Sequence, residues 1–175
     1  MDSLASGRFR MWQAEAFVVR RILQTVHGNP MPSLVFVYGT LKEGFPNFHF
    51  NPGQRVPGTF RTRQPFPFYV VQLCDEDRAP WLVNSPGEGV PVLGQVFEVD
   101  AATLRSMDTF EEVGLPTGYV RVELELEAVD DPEGKRLHAH AYMKEAHQMV
   151  VCMAVEGPFA EYTEALAVGY RLEQA

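Results

Sequence analysis

The chain has little of what a disulfide-rich, membrane-spanning or nucleic-acid-binding protein requires. Only two cysteines, Cys74 and Cys152, occur in 175 residues, which is too few for a disulfide framework or a cysteine metal centre. No apolar run approaches the roughly 20 residues of a membrane helix. Fifteen basic residues are outnumbered by 23 acidic ones, for a net charge of -8, and this excess disfavours a polyanionic partner. We expect a cytoplasmic protein that binds neither membranes nor nucleic acid.

The rest of the composition, 46% hydrophobic and 22% charged, is typical of one globular domain. The first thirty residues differ, because they are basic and place apolar side chains at helical spacing until Gly28 and Pro30. We predict an N-terminal helical extension over residues 1–30 and one domain over 31–175. Two alternatives stay open, a targeting segment and a natural start at Met31. The apolar positions of the extension are Trp12, Ala16, Val19, Leu23 and Val26.

Beyond Pro32 the sequence pattern predicts short strands. Residues 34–37 are continuously apolar, as in a strand that is buried on both faces. Further strands are predicted within 56–63, 68–73, 81–83 and 92–99, and the alternation from 120 to 128 continues in a hairpin partner at 137–143. Asp100 caps a predicted helix that begins at Ala101, and a short closing helix is predicted within 158–167.

These elements predict an α+β fold, a small mixed and largely antiparallel β-barrel with flanking helices. A doubly wound α/β fold is disfavoured, since residues 56–99 leave no room for helices between the strands. On the second hairpin strand, we expect His138, His140 and Tyr142 to share the outward face. Two imidazoles fall short of the four ligands of a structural zinc site, and we expect them to lie opposite Glu125 and Glu127 as exposed polar pairs. No metal site is predicted.

The turn at residues 38–41, Tyr-Gly-Thr-Leu, follows the first strand directly. A glycine that can adopt positive φ allows such a turn to aim several backbone N–H groups into one concavity, which suits an anion or a developing oxyanion. Gly39 and Gly44 have the spacing of the Walker A glycines, but Phe45 stands where the phosphate-binding lysine belongs. The residues alone leave two interpretations, a small-substrate site and an ordinary tight turn.

The longer segment 34–44, Leu-Val-Phe-Val-Tyr-Gly-Thr-Leu-Lys-Glu-Gly, followed by Pro46 and Asn47, resembles the amino-terminal motif of the γ-glutamylcyclotransferase-like family. Similar order and spacing continue to about residue 126, and the first thirty residues lie outside the resemblance. The later motifs are Pro-Trp-Leu-Val at 80–83, Gly-Gln-Val-Phe-Glu-Val-Asp at 94–100, Met-Asp-Thr-Phe-Glu at 107–111 and Tyr-Val-Arg at 119–121. The resemblance implies the family's small mixed barrel and the release of 5-oxoproline from γ-glutamyl compounds.

The resemblance also implies particular site residues. It places the catalytic acid/base glutamate at Glu111, and it places the substrate in the turn formed by Tyr38, Gly39, Thr40 and Leu41. The implied reaction needs no metal and no organic cofactor, and the implied partner is a small γ-glutamyl molecule. The match is closest to members that act on γ-glutamylamines such as γ-glutamyl-lysine. γ-Glutamyl amino acids, other γ-glutamyl amides and a non-catalytic binding role remain alternatives.

The helical pattern supports the choice of Glu111 independently. Glu111 shares one face of the predicted helix with Leu104 and Met107, whereas Glu112 is rotated toward solvent. Burial of a carboxylate raises its pKa toward the range that suits acid/base catalysis at neutral pH. The alternative is a solvated glutamate at a frayed helix end.

Two further residues have several possible roles. Arg121 could bind a substrate carboxylate, pair with an acid such as Asp108, or lie on the wet face of its strand. Trp81 could form a wall of the substrate cavity or belong to the core. We assign neither of them to the catalytic set.

Overall fold

The computed structural model describes residues 31–131 and 134–172. The predicted N-terminal helix at 1–30 lies outside these residues. The helices are α1 (Ala101–Phe110), α2 (Glu164–Ala167) and two 3-10 helices (Phe48–Phe50 and Ala146–Val151). The strands are β1 (Ser33–Val37), β2 (Gln54–Arg55), β3 (Phe60–Thr62), β4 (Phe68–Gln72), β5 (Glu76–Asp77), β6 (Ala79–Leu82), β7 (Leu93–Val99), β8 (Val120–Ala128), β9 (Arg136–Met143), β10 (Ala154–Glu156) and β11 (Arg171–Leu172).

Five strands close a barrel in the order β1-β9-β8-β3-β7, because β7 pairs with β1. The β1–β9 ladder is parallel, whereas the other ladders of the barrel are antiparallel. Two smaller sheets, β10-β4-β6 and β11-β5, complete the described fold. The prediction of a small, mixed and largely antiparallel barrel is confirmed.

Strand β1 is buried on both faces, as its apolar run predicts. Leu34 and Phe36 pack in the cluster that fills the barrel. Val35 and Val37 pack on the opposite side, in a cluster with Met107 of α1. The end of β1 is therefore fixed by apolar contacts on two sides, and the turn that follows begins from a rigid position.

The hairpin of β8 and β9 forms as predicted, with two differences. His138 lies opposite Glu125 and His140 opposite Glu123, so the register differs by two residues from the expected pairing with Glu125 and Glu127. Tyr142, expected on an outward wet face, is buried with Met107 and donates a hydrogen bond to Asp108 of α1. The alternating pattern assigned Tyr142 to the correct face of the strand, but α1 packs on that face and buries the side chain.

The closing helix is shorter than predicted. Of the predicted range 158–167, only α2 is helical. Phe159 and Tyr162 lie in the irregular segment before it. Tyr162 is nevertheless fully buried in the main core cluster. In the described part of the chain, no helix has the length and apolar character needed to cross a bilayer.

Candidate functional site

A cavity of about 800 Å³ lies beside the turn that follows β1. Its lining includes residues 38–41, the first residues of β6, the end of α1 and the segment after β9. Glu76, Glu111 and Lys144 are among the charged side chains that line it. Four separate stretches of the chain therefore meet at one concave site, which is the usual form of a small-molecule site.

The turn that lines this cavity has backbone donors without an acceptor in the described part of the chain. The Gly39 carbonyl accepts from the Lys42 amide at 3.1 Å and the Thr40 carbonyl from the Asn47 amide at 3.0 Å. By contrast, the N–H groups of Gly39, Thr40 and Leu41 have no acceptor among the described residues. Consecutive free N–H groups in a cavity wall can bind a carboxylate or an oxyanion.

Gly39 does not adopt the positive φ that the sequence suggested. Its role is to permit close packing, because a Cβ at this position would lie 2.7 Å from Cγ of Pro80. A separation below 3.0 Å cannot persist without displacing one of the two groups. The glycine thus lets the turn lie directly against the start of β6.

We expect Gly39→Ala to displace the turn from Pro80 and to reduce substrate turnover. Removing one oxyanion donor typically costs about 100- to 1000-fold in turnover, and displacement of the whole turn should approach that range. Pro80→Ala removes the Cγ atom that the new methyl group would meet. The double variant should therefore recover part of the lost activity and thermal stability, which a double-mutant cycle would measure. Equal loss in the single and the double variant would contradict this explanation.

Lys42 fixes the turn from the other side. It is buried, and its Nζ donates to the Tyr162 carbonyl at 2.5 Å and lies 4.2 Å from the centre of the Phe45 ring. The Glu161 carboxylate lies 3.8 Å from the same Nζ. The lysine is thus used in attaching the turn to the carboxy-terminal segment. This attachment agrees with the rejection of a phosphate-binding loop.

Glu111 is the C-cap of α1, one residue beyond the last helical residue, Phe110. Its N–H donates to the Met107 carbonyl, and its own carbonyl accepts from Tyr119, each at 2.9 Å. Glu111 and Met107 both line the cavity, which agrees with the shared face that their spacing predicts. Desolvation by burial raises the pKa of Glu111 to about 7, with Lys144 opposing the rise and Glu76 adding to it.

The chain turns sharply after Glu111. Glu112 has a left-handed backbone with φ of 53°, and the amides of Glu112 and Val113 donate to the carbonyls of Thr109 and Asp108. This is the Schellman pattern of a helix end, with glutamate where glycine is usual. Gly118 packs so tightly that a Cβ there would overlap the Glu112 carbonyl. The loop that follows Glu111 is therefore closely packed, with Gly118 in direct contact with the Glu112 backbone.

Two buried polar side chains from the segment after β9 hold this loop. Nζ of Lys144 donates to the Thr117 carbonyl at 2.6 Å. Nε2 of Gln148 donates to the carbonyls of Pro116 and Gly118 at 3.1 and 2.9 Å. Three consecutive loop carbonyls thus have fixed donors, and sequence reasoning did not identify either donor.

Lys144 also contributes charge to the cavity. Its Nζ lies 3.8 Å from the centre of the Tyr119 ring and 4.9 Å from that of Trp81. Desolvation by burial lowers the pKa of Lys144, whereas Glu111, Glu76 and Glu112 favour its charged form. One buried cation therefore interacts with three carboxylates that line the cavity.

The remaining candidates have clear positions. Tyr38 lines the cavity, but its side chain is buried and its hydroxyl donates to the Tyr142 carbonyl at 2.7 Å. Trp81 belongs to the core and also lines the cavity. Arg121 makes two hydrogen bonds to Asp108, at 2.9 and 2.7 Å, which is the second of its three possible roles. Across residues 31–131 and 134–172, no group of three or more metal-binding side chains is arranged around one point.

The chain is similar in sequence to a known protein family and to named members of it. Residues 35–159 match the family model described as gamma-glutamyl cyclotransferase, AIG2-like. The gamma-glutamylaminecyclotransferase of Homo sapiens is 38% identical over 104 residues, which are 57% of this chain and 65% of that protein. The protein of the same name from Rattus norvegicus is 39% identical over 101 residues, 55% of this chain and 64% of the relative. The chain thus spans just under two thirds of the length of these relatives.

The fold is similar to that of a solved relative. The crystal structure of an AIG2-like protein from Mus musculus has a TM-score of 0.63 and 27% sequence identity. The similarity covers 82% of this chain and 97% of the mouse chain. The barrel and its flanking segments are therefore shared across most of both proteins.

Proposed function

Because the chain belongs to the gamma-glutamyl cyclotransferase, AIG2-like family, we propose that it releases 5-oxoproline and a free amine from γ-glutamylamines such as γ-glutamyl-lysine. One observation supports this proposal most strongly. A carboxylate with a pKa of about 7, that of Glu111, lines the same cavity as the unpaired amides of Gly39, Thr40 and Leu41. A proton acceptor and an oxyanion-binding group are the two parts that the reaction needs.

The proposed reaction closes a ring within the substrate. Glu111 accepts a proton from the α-ammonium group of the γ-glutamyl moiety, and the freed amine attacks the γ-carbonyl carbon. The backbone amides of residues 38–41 hold the glutamyl group and stabilise the negative charge that develops on the carbonyl oxygen. The new C–N bond forms the lactam and the original amide C–N bond breaks as Glu111 returns its proton to the leaving amine. The attacking nitrogen loses a second proton through the same carboxylate, so that the products are the neutral lactam and the leaving amine as its ammonium ion.

Positioning supplies much of the acceleration in this mechanism. Intramolecular attack in a fixed conformation can contribute about 7 to 11 kcal/mol. The turn suits this task because Lys42 and Pro80 hold it on two sides. No metal ion or organic cofactor enters the proposed steps.

Incubation of the purified protein with γ-glutamyl-lysine isopeptide tests the proposal. We expect 5-oxoproline and lysine in equal amounts, measured by liquid chromatography with mass detection. A panel of γ-glutamyl amino acids and other γ-glutamyl amides separates the alternative substrates. If no γ-glutamyl compound yields 5-oxoproline while some still raise the thermal midpoint, the protein is a binding homologue and the proposal is wrong.

A further inference from the structure

Glu76 is a second carboxylate in the cavity, and the proposed reaction does not use it. It lies on β5, which pairs with β11 at the carboxy-terminal end of the described chain. Its Oε1 accepts a hydrogen bond from the Tyr170 hydroxyl at 3.0 Å. Within the described ranges, no lysine, arginine or histidine forms an ion pair with Glu76.

A chain of hydrogen bonds fixes Glu76 relative to the turn. Nδ2 of Asn47 donates to the Tyr170 hydroxyl at 2.9 Å and to Oγ1 of Thr40 at 3.2 Å. Because the tyrosine hydroxyl has a single proton and accepts from Asn47, that proton is free to go to Glu76. The carboxylate is thus connected through two side chains to the amides proposed to hold the glutamyl group. These hydrogen bonds fix its position relative to the turn.

The charges of the cavity do not balance without a ligand. Lys144 faces both Glu76 and Glu111, and its Nζ is already bonded to the Thr117 carbonyl. Asp75 and Glu112 also line the cavity, so four carboxylates share the ammonium of Lys144 and negative charge is in excess when the acids are ionised. Burial raises the pKa of Glu76, with the Tyr170 hydroxyl and Lys144 opposing the rise. A partly buried carboxylate without a cationic partner is costly, and a ligand ammonium would remove that cost.

The substrate offers two places for such an ammonium group. The α-ammonium of the glutamyl moiety must lose its proton to Glu111, so a stable ion pair at that position would slow the reaction. A second ammonium, carried by the leaving amine, would face no such conflict. We propose that Glu76 binds a cationic group of the leaving amine and makes the enzyme selective for γ-glutamyl conjugates of diamines and similar cationic amines. This inference rests on the proposed function and specifies its substrate class.

Leaving groups of different charge should therefore be distinguished. A conjugate with a simple amino acid places its α-carboxylate close to the scissile amide, where Glu76 would repel it. A neutral alkylamine would gain nothing from Glu76. A diamine conjugate gains a charge-assisted hydrogen bond, which is about twice as strong as a neutral one.

Two nearly isosteric substrates test the inference. γ-Glutamylcadaverine and γ-glutamyl-n-hexylamine differ only in a terminal ammonium in place of a methyl group. The ratio of their kcat/KM values isolates recognition of the charge. We expect Glu76→Gln to lower this cadaverine-to-hexylamine ratio about tenfold. The loss of one charge-assisted hydrogen bond changes an equilibrium by about that factor. Glutamine keeps the size of the side chain and can still accept from Tyr170.

Asp77→Asn is the matched control. Asp77 is the neighbouring acid on β5, but its carboxylate pairs with Arg171 at 2.9 Å, and it is not among the cavity-lining residues of the described chain. Its substitution should leave the ratio unchanged. Tyr170→Phe should lower the ratio by a smaller factor, since the carboxylate remains but loses its fixed position. This second variant also keeps the test decisive if Glu76→Gln folds poorly.

The possible outcomes separate the two proposals. A ratio that falls in Glu76→Gln and Tyr170→Phe but not in Asp77→Asn supports the ammonium subsite. An unchanged ratio in the folded Glu76→Gln variant overturns the subsite while the cyclotransferase activity stands. Failure of the unmodified protein to release 5-oxoproline from any γ-glutamyl compound overturns the proposed function, and failure with the cadaverine conjugate alone overturns the subsite.

Discussion

Glu111→Gln should lower the rate of 5-oxoproline release by about 100- to 10,000-fold, the usual contribution of a general acid/base. Glutamine fits the same space at the end of α1 but cannot accept the ammonium proton. The turn amides are untouched, so KM should change little while kcat falls. Steady-state kinetics with γ-glutamyl-lysine would measure both quantities.

The same substitution should not reduce stability. Since burial raises the pKa of Glu111 from 4.5 to about 7, ionising it in the folded protein costs free energy; this cost grows as the pH rises from about 4.5 and is fully present above about 7. Glutamine removes the cost, so the thermal midpoint of the variant should be at least that of the parent protein at pH 8. Glu88→Gln changes an exposed loop glutamate that is not among the cavity-lining residues of the described chain; it is the control and should retain activity. Full activity of Glu111→Gln would refute the proposed mechanism.

Replacing Lys144 by methionine should shift the pH dependence of catalysis. The base must be ionised, so kcat/KM is expected to rise with pH through about 7, the pKa of Glu111. Lys144 opposes the rise of that pKa, whereas Glu76 adds to it. Loss of the cation should raise the pKa of Glu111 and so shift the rising limb of the pH profile to higher pH by about one unit. This is the lower end of the effect of a close opposite charge. Activity at pH 7 should fall about fivefold as a result, because the ionised fraction of the base drops from about one half to about one tenth.

Two further variants separate charge from packing. Lys144→Arg keeps a cation and a donor for the Thr117 carbonyl, so its pH profile should stay near that of the parent protein. Lys135→Met removes an exposed lysine near the hairpin turn and should leave the profile unchanged. A merely structural role for Lys144 would lower the rate at every pH without moving the limb. A stationary limb in Lys144→Met would therefore exclude the electrostatic role.

The sequence allowed the two main parts of the candidate site to be predicted. The turn at 38–41 follows a strand whose apolar run is easily recognised, and the helical face of Glu111 follows from its spacing to Met107. The structure places both beside one cavity. Their catalytic roles rest on the proposed function.

The other charged residues of the cavity had no recognisable pattern. Lys144 follows the last residue of β9, and a lysine at a strand end is usually exposed. Glu76 lies within Asp75-Glu76-Asp77, a run of acids that is typical of a solvated loop. What buries these side chains is contact with segments distant in the sequence, such as the loop at 116–118 and Tyr170. Such contacts leave no trace in local periodicity.

The fold shows the same limit. The longer strands were predicted because four or more residues establish a period, whereas β5 and β11 have only two residues each and β10 has three. Tyr142 was assigned to an outward face because periodicity identifies a face but not what covers it. Gly39 was expected to adopt positive φ, yet a glycine is required there because of close contact with Pro80, which is distant in the sequence.

The part of the chain that the site requires extends beyond the region that matches the family model. That similarity ends at residue 159, but the acceptor for the buried ammonium of Lys42 is the Tyr162 carbonyl, and the donor to Glu76 is Tyr170. A fragment cut at the similarity boundary would leave a buried cation without its acceptor and one cavity carboxylate without its donor. Expression fragments and chimaeras of this barrel should therefore extend at least through Tyr170.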